Sequence, residues 1–306
     1  MTAHILGTDR TGVRGCGCRP VTRRSYRPVR HHRIMFFRYG DLRDSLVAAV
    51  REGSEGREVG VAFSGGLDSG LIAAIAKEHA DTVTLYTCGA DGSHDVIMAR
   101  DLSERIGLPW VHIRISEDNV ESLIREMMTA TGVRDPFTIS YELQLFCVCK
   151  ASTEEVVLTG QGADEFFMGC AKFVDCPYED YEILRKDGVR RLLEVSVPCE
   201  KEIAAHFGKS LAYPYLDEEV LAEVGKLDPA ELRPADMGSR KAVLRDIAAD
   251  LGYPVIAGRV KKSSQYGSGT TDIIRALAKG KRMLFNQYVE SIHEGIVNGV
   301  PPADAE

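Results

Sequence analysis

VGVAFSGGLDSGLIAAIAKEH, residues 59–79, is the stretch on which the fold turns. Val59–Phe63 reads as a short buried strand, Ser64–Gly70 as a glycine-rich turn, and Leu71–His79 as a helix. A strand that feeds a helix through such a turn points backbone N–H groups and the positive end of a helix dipole into one concavity. That is a ready site for an anion.

Working outward, the alternation continues. Upstream, Leu42, Leu46, Val47 and Val50 recur at helical spacing and Gly53 supplies a stop. Downstream, a strand is expected at 82–89, a helix at 94–107, a strand at 110–115, helices at 120–131 and 140–151, and a strand at 154–160. Strands alternating with helices predict a Rossmann-like parallel sheet with helices on both faces, an α/β core over about 55–170. Beyond Gly169 the pattern becomes helical. The segments 178–193, 218–224, 240–251 and 271–278 read as helices, punctuated by prolines such as Pro198, Pro214 and Pro254. This predicts a helical region over about 171–295, with the active site between it and the core.

The 306 residues are 44% apolar and 27% charged, as in an ordinary globular protein, and no apolar run approaches the ~20 residues of a membrane span. The net charge of −7 argues against a dedicated nucleic-acid binder. Residues 1–34 depart from that balance with eight Arg and one acid, leaving 30 basic against 44 acidic residues in 35–306. The expectation for 1–34 is a disordered Arg-rich leader, with 35–306 as the folded domain. Eight cysteines include no C-x-x-C pair, and without an export signal they are expected as reduced thiols in a cytoplasmic protein. Cys147 and Cys149, two apart in an apolar stretch, are expected to pack rather than to share a helical face.

In the turn itself, Gly65 and Gly66 permit close backbone approach to a ligand, and Ser64 and Ser69 add hydroxyl donors. Asp68 is out of place in an anion nest unless it binds a Mg²⁺ ion that bridges phosphate oxygens. Helix capping is the competing reading for the Ser and Asp residues. The segment is neither a Walker loop nor a G-x-G-x-x-G turn.

SGGLDSG resembles the SGGxDS loop of the PP-loop ATP pyrophosphatases, in which ATP is cleaved between its α- and β-phosphates. Further segments narrow the resemblance to the synthetase domain of asparagine synthetases. These are GSHD at 92–95, LTGQGADEFFMGC at 158–170, PYLD at 214–217, KAVLR at 241–245 and GRVKKSSQYGSG at 258–269. The resemblance implies an AMP-forming ligase using ATP and Mg²⁺, with aspartate and ammonia as the leading substrates.

It also implies roles residue by residue. Asp68 and Asp164 would share the Mg²⁺, and Lys261 would contact the phosphates. Ser64, Gly65, Gly66, Ser69, Thr159 and Gly160 would border the nucleotide, as would Ala62 and Cys88 beside the adenine and ribose. Glu165 would support Asp164 or cap a helix. Asp217 is similar to a domain-bridging acid, with a structural role as the alternative, and Ser93 and Asp95 are either a helix cap or neighbours of the ATP. Trp110 and the histidines read as packing or surface residues.

Two departures stand out. Residue 2 is Thr, where glutamine-dependent members carry a catalytic cysteine, so ammonia is expected from solution or from a separate glutaminase subunit. Gln161 replaces the family's Glu in S-G-E-G, and an amide cannot act as a base. Free ammonia then needs less help, or Glu165 or another group substitutes, or the acceptor chemistry has diverged. Alternatives are a ligase for another carboxylate, as in β-lactam synthetases, a tRNA-modifying enzyme, or a regulatory subunit that only binds nucleotide. A homodimer is expected; membrane and nucleic-acid partners are not.

Overall fold

A computed structural model describes residues 38–174, 176–259 and 264–300. The stretch 1–34, Lys261 and Lys262 lie outside the described residues.

Five strands form one sheet: β1 (Glu58–Ala62), β2 (Thr82–Gly89), β3 (Trp110–Arg114), β4 (Val156–Leu158) and β5 (Ser210–Ala212). Their order is β3-β2-β1-β4-β5, and every pair is parallel. Val61 lies opposite Leu85 on one side and Leu158 on the other. Because side chains alternate along a strand, Val59, Val61, Leu85 and Leu158 serve one face while Tyr86, Cys88 and Val157 serve the other.

Helices α1 (Gly40–Ser54), α2 (Leu67–Lys77) and α3 (His94–Ile106) cover the first face through Leu46, Leu71, Ile72 and Leu102. Each such buried side chain contributes roughly 1.5–3 kcal/mol. On the second face lie α4 (Val120–Thr131) and α5 (Pro136–Ala151). After the short α6 (Ala163–Phe166) and α7 (Tyr178–Arg191), α8 (Val197–His206) joins them. Cys147 and Cys149 are both buried in α5, which is enclosed on most of its circumference, so packing is their role as expected.

Three boundaries differ from the sequence reading. Helix α2 begins at Leu67 rather than Leu71, because Gly66 is extended (φ −82°, ψ −175°) and delivers the chain directly into the helix. Asp68 and Ser69 therefore occupy its first turn. The region expected to be purely helical contributes β5, a strand of three residues, too short for an alternation to show. Pro198 does not end the helix: it lies inside an unbroken helical run, 178–206, directly after a π-helical turn at Leu192–Ser196.

The topology locates the site. From β1 the chain steps outward to β2 and β3, whereas β4 lies on the opposite side of β1 and leads to β5. Loops after β1 and β4 thus border the crevice at the switch point, where open parallel sheets bind ligands.

Candidate active site

The loop after β1 is Ser64–Gly66. Gly65 has φ +68°, and a Cβ there would stand 2.3 Å from the Ala99 backbone nitrogen, so the turn is pressed against α3 and only glycine fits. The Ser64 N–H donates to Ser69 Oγ at 3.2 Å, and the two hydroxyl oxygens are 3.3 Å apart. The first-turn N–H groups of α2 open beside these hydroxyls, a neutral cradle with donors available.

The loop after β4 closes on the same point. A Cβ at Gly160 would lie 3.3 Å from Asp68 Cβ, which puts Thr159–Gly160 directly against α2. Thr159 is buried, and its hydroxyl accepts from the Gln161 N–H at 3.3 Å. Tyr215 donates its hydroxyl to the Asp68 carbonyl at 3.0 Å, tying the segment after β5 to the same turn.

The two acids expected to share a cation do converge. Asp68 Oδ2 and Asp164 Oδ1 each lie 2.6 Å from a single group, the ammonium of Lys241. Lys241 is 4% exposed and has φ +57°, a left-handed conformation that costs about 1 kcal/mol or more outside glycine. Gly169 makes room for it: a Cβ there would come within 2.0 Å of Lys241 Cε. Buried Asp68 and half-buried Asp164 need a cation between them, and in this arrangement Lys241 supplies it. The donor set also fits Mg²⁺, a hard ion that takes one or two carboxylates and completes its shell with water and phosphate oxygens. Among the described residues no cluster of three or more His, Cys, Asp or Glu forms a self-sufficient metal centre.

Lys241 was within reach of the sequence, as the first residue of KAVLR, but nothing local marks it as a partner of acids more than 75 residues away. Lys261 lies outside the described residues; its flanks are anchored next to the loop. Arg259 binds Asp101 Oδ2 at 2.8 Å and the Met98 carbonyl at 2.7 Å on α3, and the Ser268 carbonyl accepts from the Ala90 N–H at 2.8 Å.

Other sequence candidates fall around this centre. Ala62, at the end of β1, packs on the second face, and the Cys88 side chain is buried there, its thiol pushed well above the usual range by burial and by Cys147. Only the backbone of Cys88 is then left to face a nucleotide. Glu165 stands on α6 beside Asp164. Asp217 caps a helix, accepting from the N–H groups of Glu219 and Val220 at 2.9 and 3.3 Å. Asp95 is buried against Gly267 and pairs with His94 at 3.1 Å. Trp110 packs on the core and donates to Thr87 Oγ1 at 2.8 Å.

On the other side of Gln161 lies a feature with no sequence motif. Gln161 Nε2 donates to Glu200 Oε1 of α8 at 2.5 Å. Glu142 of α5 acts on Glu200, and both are buried, at 4% and 3% exposure. Burial, reinforced by Glu200, holds the Glu142 carboxyl well above its ordinary range; burial pushes Glu200 up to about 7.

The fold and the loop geometry define an α/β nucleotide-binding protein of the PP-loop type. Residues 41–188 match the family model for asparagine synthase. It is similar to a provisionally named glutamine-hydrolyzing asparagine synthetase of Methanocaldococcus jannaschii, with 28% identity over 84% of this chain and 54% of the relative. It is similar also to asparagine synthetase B of Escherichia coli, with 25% identity over 76% of this chain and 45% of the relative. The chain thus spans about half the length of the curated relatives it matches. Among solved structures, NMN synthetase from Francisella tularensis aligns with a TM-score of 0.41 and 14% identity, over 88% of this chain and 90% of that one.

Proposed function

We propose that this chain is an AMP-forming ligase that activates a carboxylate with ATP and passes the acyl group to an amine. Aspartate and ammonia, free or delivered by a glutaminase, are the favoured pair. The observation that carries the reading is the convergence of Asp68 and Asp164 on one cationic point at the mouth of the Ser64–Ser69 cradle.

In this reading the α2 N-terminus, Ser64 and Ser69 hold the β- and γ-phosphates. Asp68 and Asp164 would hold a Mg²⁺ ion, which would supply positive charge to offset that developing on the departing pyrophosphate. Lys241, already between the two acids, moves its ammonium onto the phosphates as they arrive, and Lys261 adds a second positive charge. The substrate carboxylate attacks the α-phosphorus, the bond to the β-phosphate oxygen breaks, and an acyl-adenylate forms. The amine then displaces AMP. Glu165 supports Asp164. The names of the relatives support a metabolic, cytoplasmic setting; no helix among the described residues is long and apolar enough to cross a membrane.

Incubation of the purified chain with ATP, Mg²⁺, aspartate and ammonium should yield asparagine, AMP and pyrophosphate in equal amounts. Pyrophosphate release that does not depend on any carboxylate, across a panel including aspartate and its analogues, would sink the ligase reading.

A further inference from the structure

Replacement of an acid by Gln161 leaves the amine half of the reaction without a base at that position. The structure nevertheless presses a carboxyl against it, through the 2.5 Å hydrogen bond from Gln161 Nε2 to Glu200 Oε1. Glu200 is not isolated. Glu142 stands behind it on α5, and the two carboxyls are close enough to bias each other's ionisation.

The surroundings withhold a counter-ion. Arg191, at the end of α7, acts on Glu142 only weakly, and Lys209 is bound to the Ser152 and Glu154 carbonyls at 2.8 Å each. Glu165 on α6 opposes ionisation of Glu200. The thiols of Cys149 and Cys199, both pushed up to about 12 chiefly by burial, carry no charge near neutrality. The Tyr213 hydroxyl faces Glu200 and favours its ionised form, while burial, reinforced by Glu200, keeps the phenol itself protonated. Neither Tyr213 Oη nor Glu200 Oε2 completes a hydrogen bond among the described residues. A fully buried carboxylate oxygen without a donor is a site prepared for one.

Backbone geometry adds an independent sign. Between α7 and α8 the chain makes a π-helical turn, Leu192–Ser196, and the Ser196 side chain in that turn bonds Glu142. π turns are rare and are retained mostly where they aim a functional side chain.

We propose that Glu200, with Glu142 behind it, is the proton acceptor for the incoming amine, taking over the task that Gln161 cannot perform. The inference rests on the ligase reading and deepens it, by specifying an amine small enough, such as ammonia, to bond Glu200 Oε2. The nitrogen forms its bond to the acyl carbon, and the carbon–oxygen bond to AMP breaks, its electron pair leaving on the phosphate oxygen. One proton passes from nitrogen to Glu200. Glu142 remains protonated throughout, which lets its neighbour carry the single charge. Gln161 orients the carboxyl by its amide. Because Glu200 accepts a proton only when ionised, amide formation at a fixed concentration of free ammonia rises with pH through about 7 and then levels.

The test uses the full chain and its Glu200→Gln and Glu142→Gln variants in two assays, carboxylate-dependent exchange of labelled pyrophosphate into ATP and amide formation with ammonium chloride. In Glu200→Gln, exchange should stay within about threefold of the parent while amide formation falls by about a hundredfold or more, and the limb near pH 7 should vanish. Glu142→Gln should keep the limb but move it to higher pH, since the hydrogen bond that the protonated Glu142 gives to ionised Glu200 is weakened. Infrared titration without substrates should show a protonated carboxyl band that disappears near pH 7 in the parent and is missing in Glu200→Gln. Unaltered amide formation and pH limb in Glu200→Gln, with exchange intact, would overturn this proposal alone. Equal loss of exchange and amide formation would also overturn it, in favour of a structural role. No exchange by the parent with any carboxylate would remove the ligase reading and this step together, whatever the infrared band does.

Discussion

Two pairs of acids flank the crevice, and they are neutralised in opposite ways. Asp68 and Asp164 have a buried lysine between them, 2.6 Å from each. Glu142 and Glu200 have an amide, a phenol and two thiols around them, and burial pushes the pair toward protonation. On the proposed mechanism, the difference matches what each pair would exchange. A carboxylate pair that holds a cation must remain charged, whereas one that moves a proton must be able to gain one near neutral pH. One fold would thus supply, on this proposal, a charge-handling half around β1 and a proton-handling half around α5 and α8.

The largest effect should come from breaking the first pair. Lys241→Met leaves buried Asp68 and half-buried Asp164 without their cation, and carboxylate-dependent pyrophosphate release should fall by roughly a hundredfold or more. Stability should fall by about 3–5 kcal/mol in denaturant titration, as when one partner of a buried ion pair is removed. A millimolar excess of Mg²⁺ should restore part of that stability if the acids are a cation site. A null result with Mg²⁺ would erase the contrast between the two pairs.

A smaller effect sharpens the second pair. The folded-state value of Glu200, about 7, lies above the ordinary 4.5. Its contribution to stability is therefore fully present below pH 4.5 and is lost as pH rises through 7. Glu200→Gln, an uncharged isostere, should melt higher than the parent at pH 8, by an amount on the order of 2–3 kcal/mol, and about equally at pH 5. Equal melting shifts at both pH values would show that Glu200 ionises normally.

Much of the first region was legible in the residues, and much of the second was not. Val59–Phe63, the glycine turn and the following helix declare themselves within twenty residues, since strand, turn and helix signals are local. Asp164 and Gln161 were reached through a motif of similar kind. Lys241 was seen as part of KAVLR, yet its role depends on a contact with Asp68 across 173 positions, which no periodicity records. Glu142 and Glu200 sit inside ordinary helical patterns on separate elements, and only the packing of α8 on α5 makes them a pair. β5 escaped because three residues between a glycine turn and Pro214 cannot display alternation. Pro198 misled because a proline that follows a π turn inside a continuous helical run looks, in sequence, like a break.

The central claim is that this chain joins a carboxylate to AMP before any amine is involved. The direct measurement is a turnover with aspartate labelled with ¹⁸O in its carboxyl groups, followed by mass spectrometry of the nucleotide product. Transfer of one labelled oxygen to AMP, with unlabelled pyrophosphate released, is the predicted result. ADP and phosphate as products, or AMP that carries no label, would contradict the account.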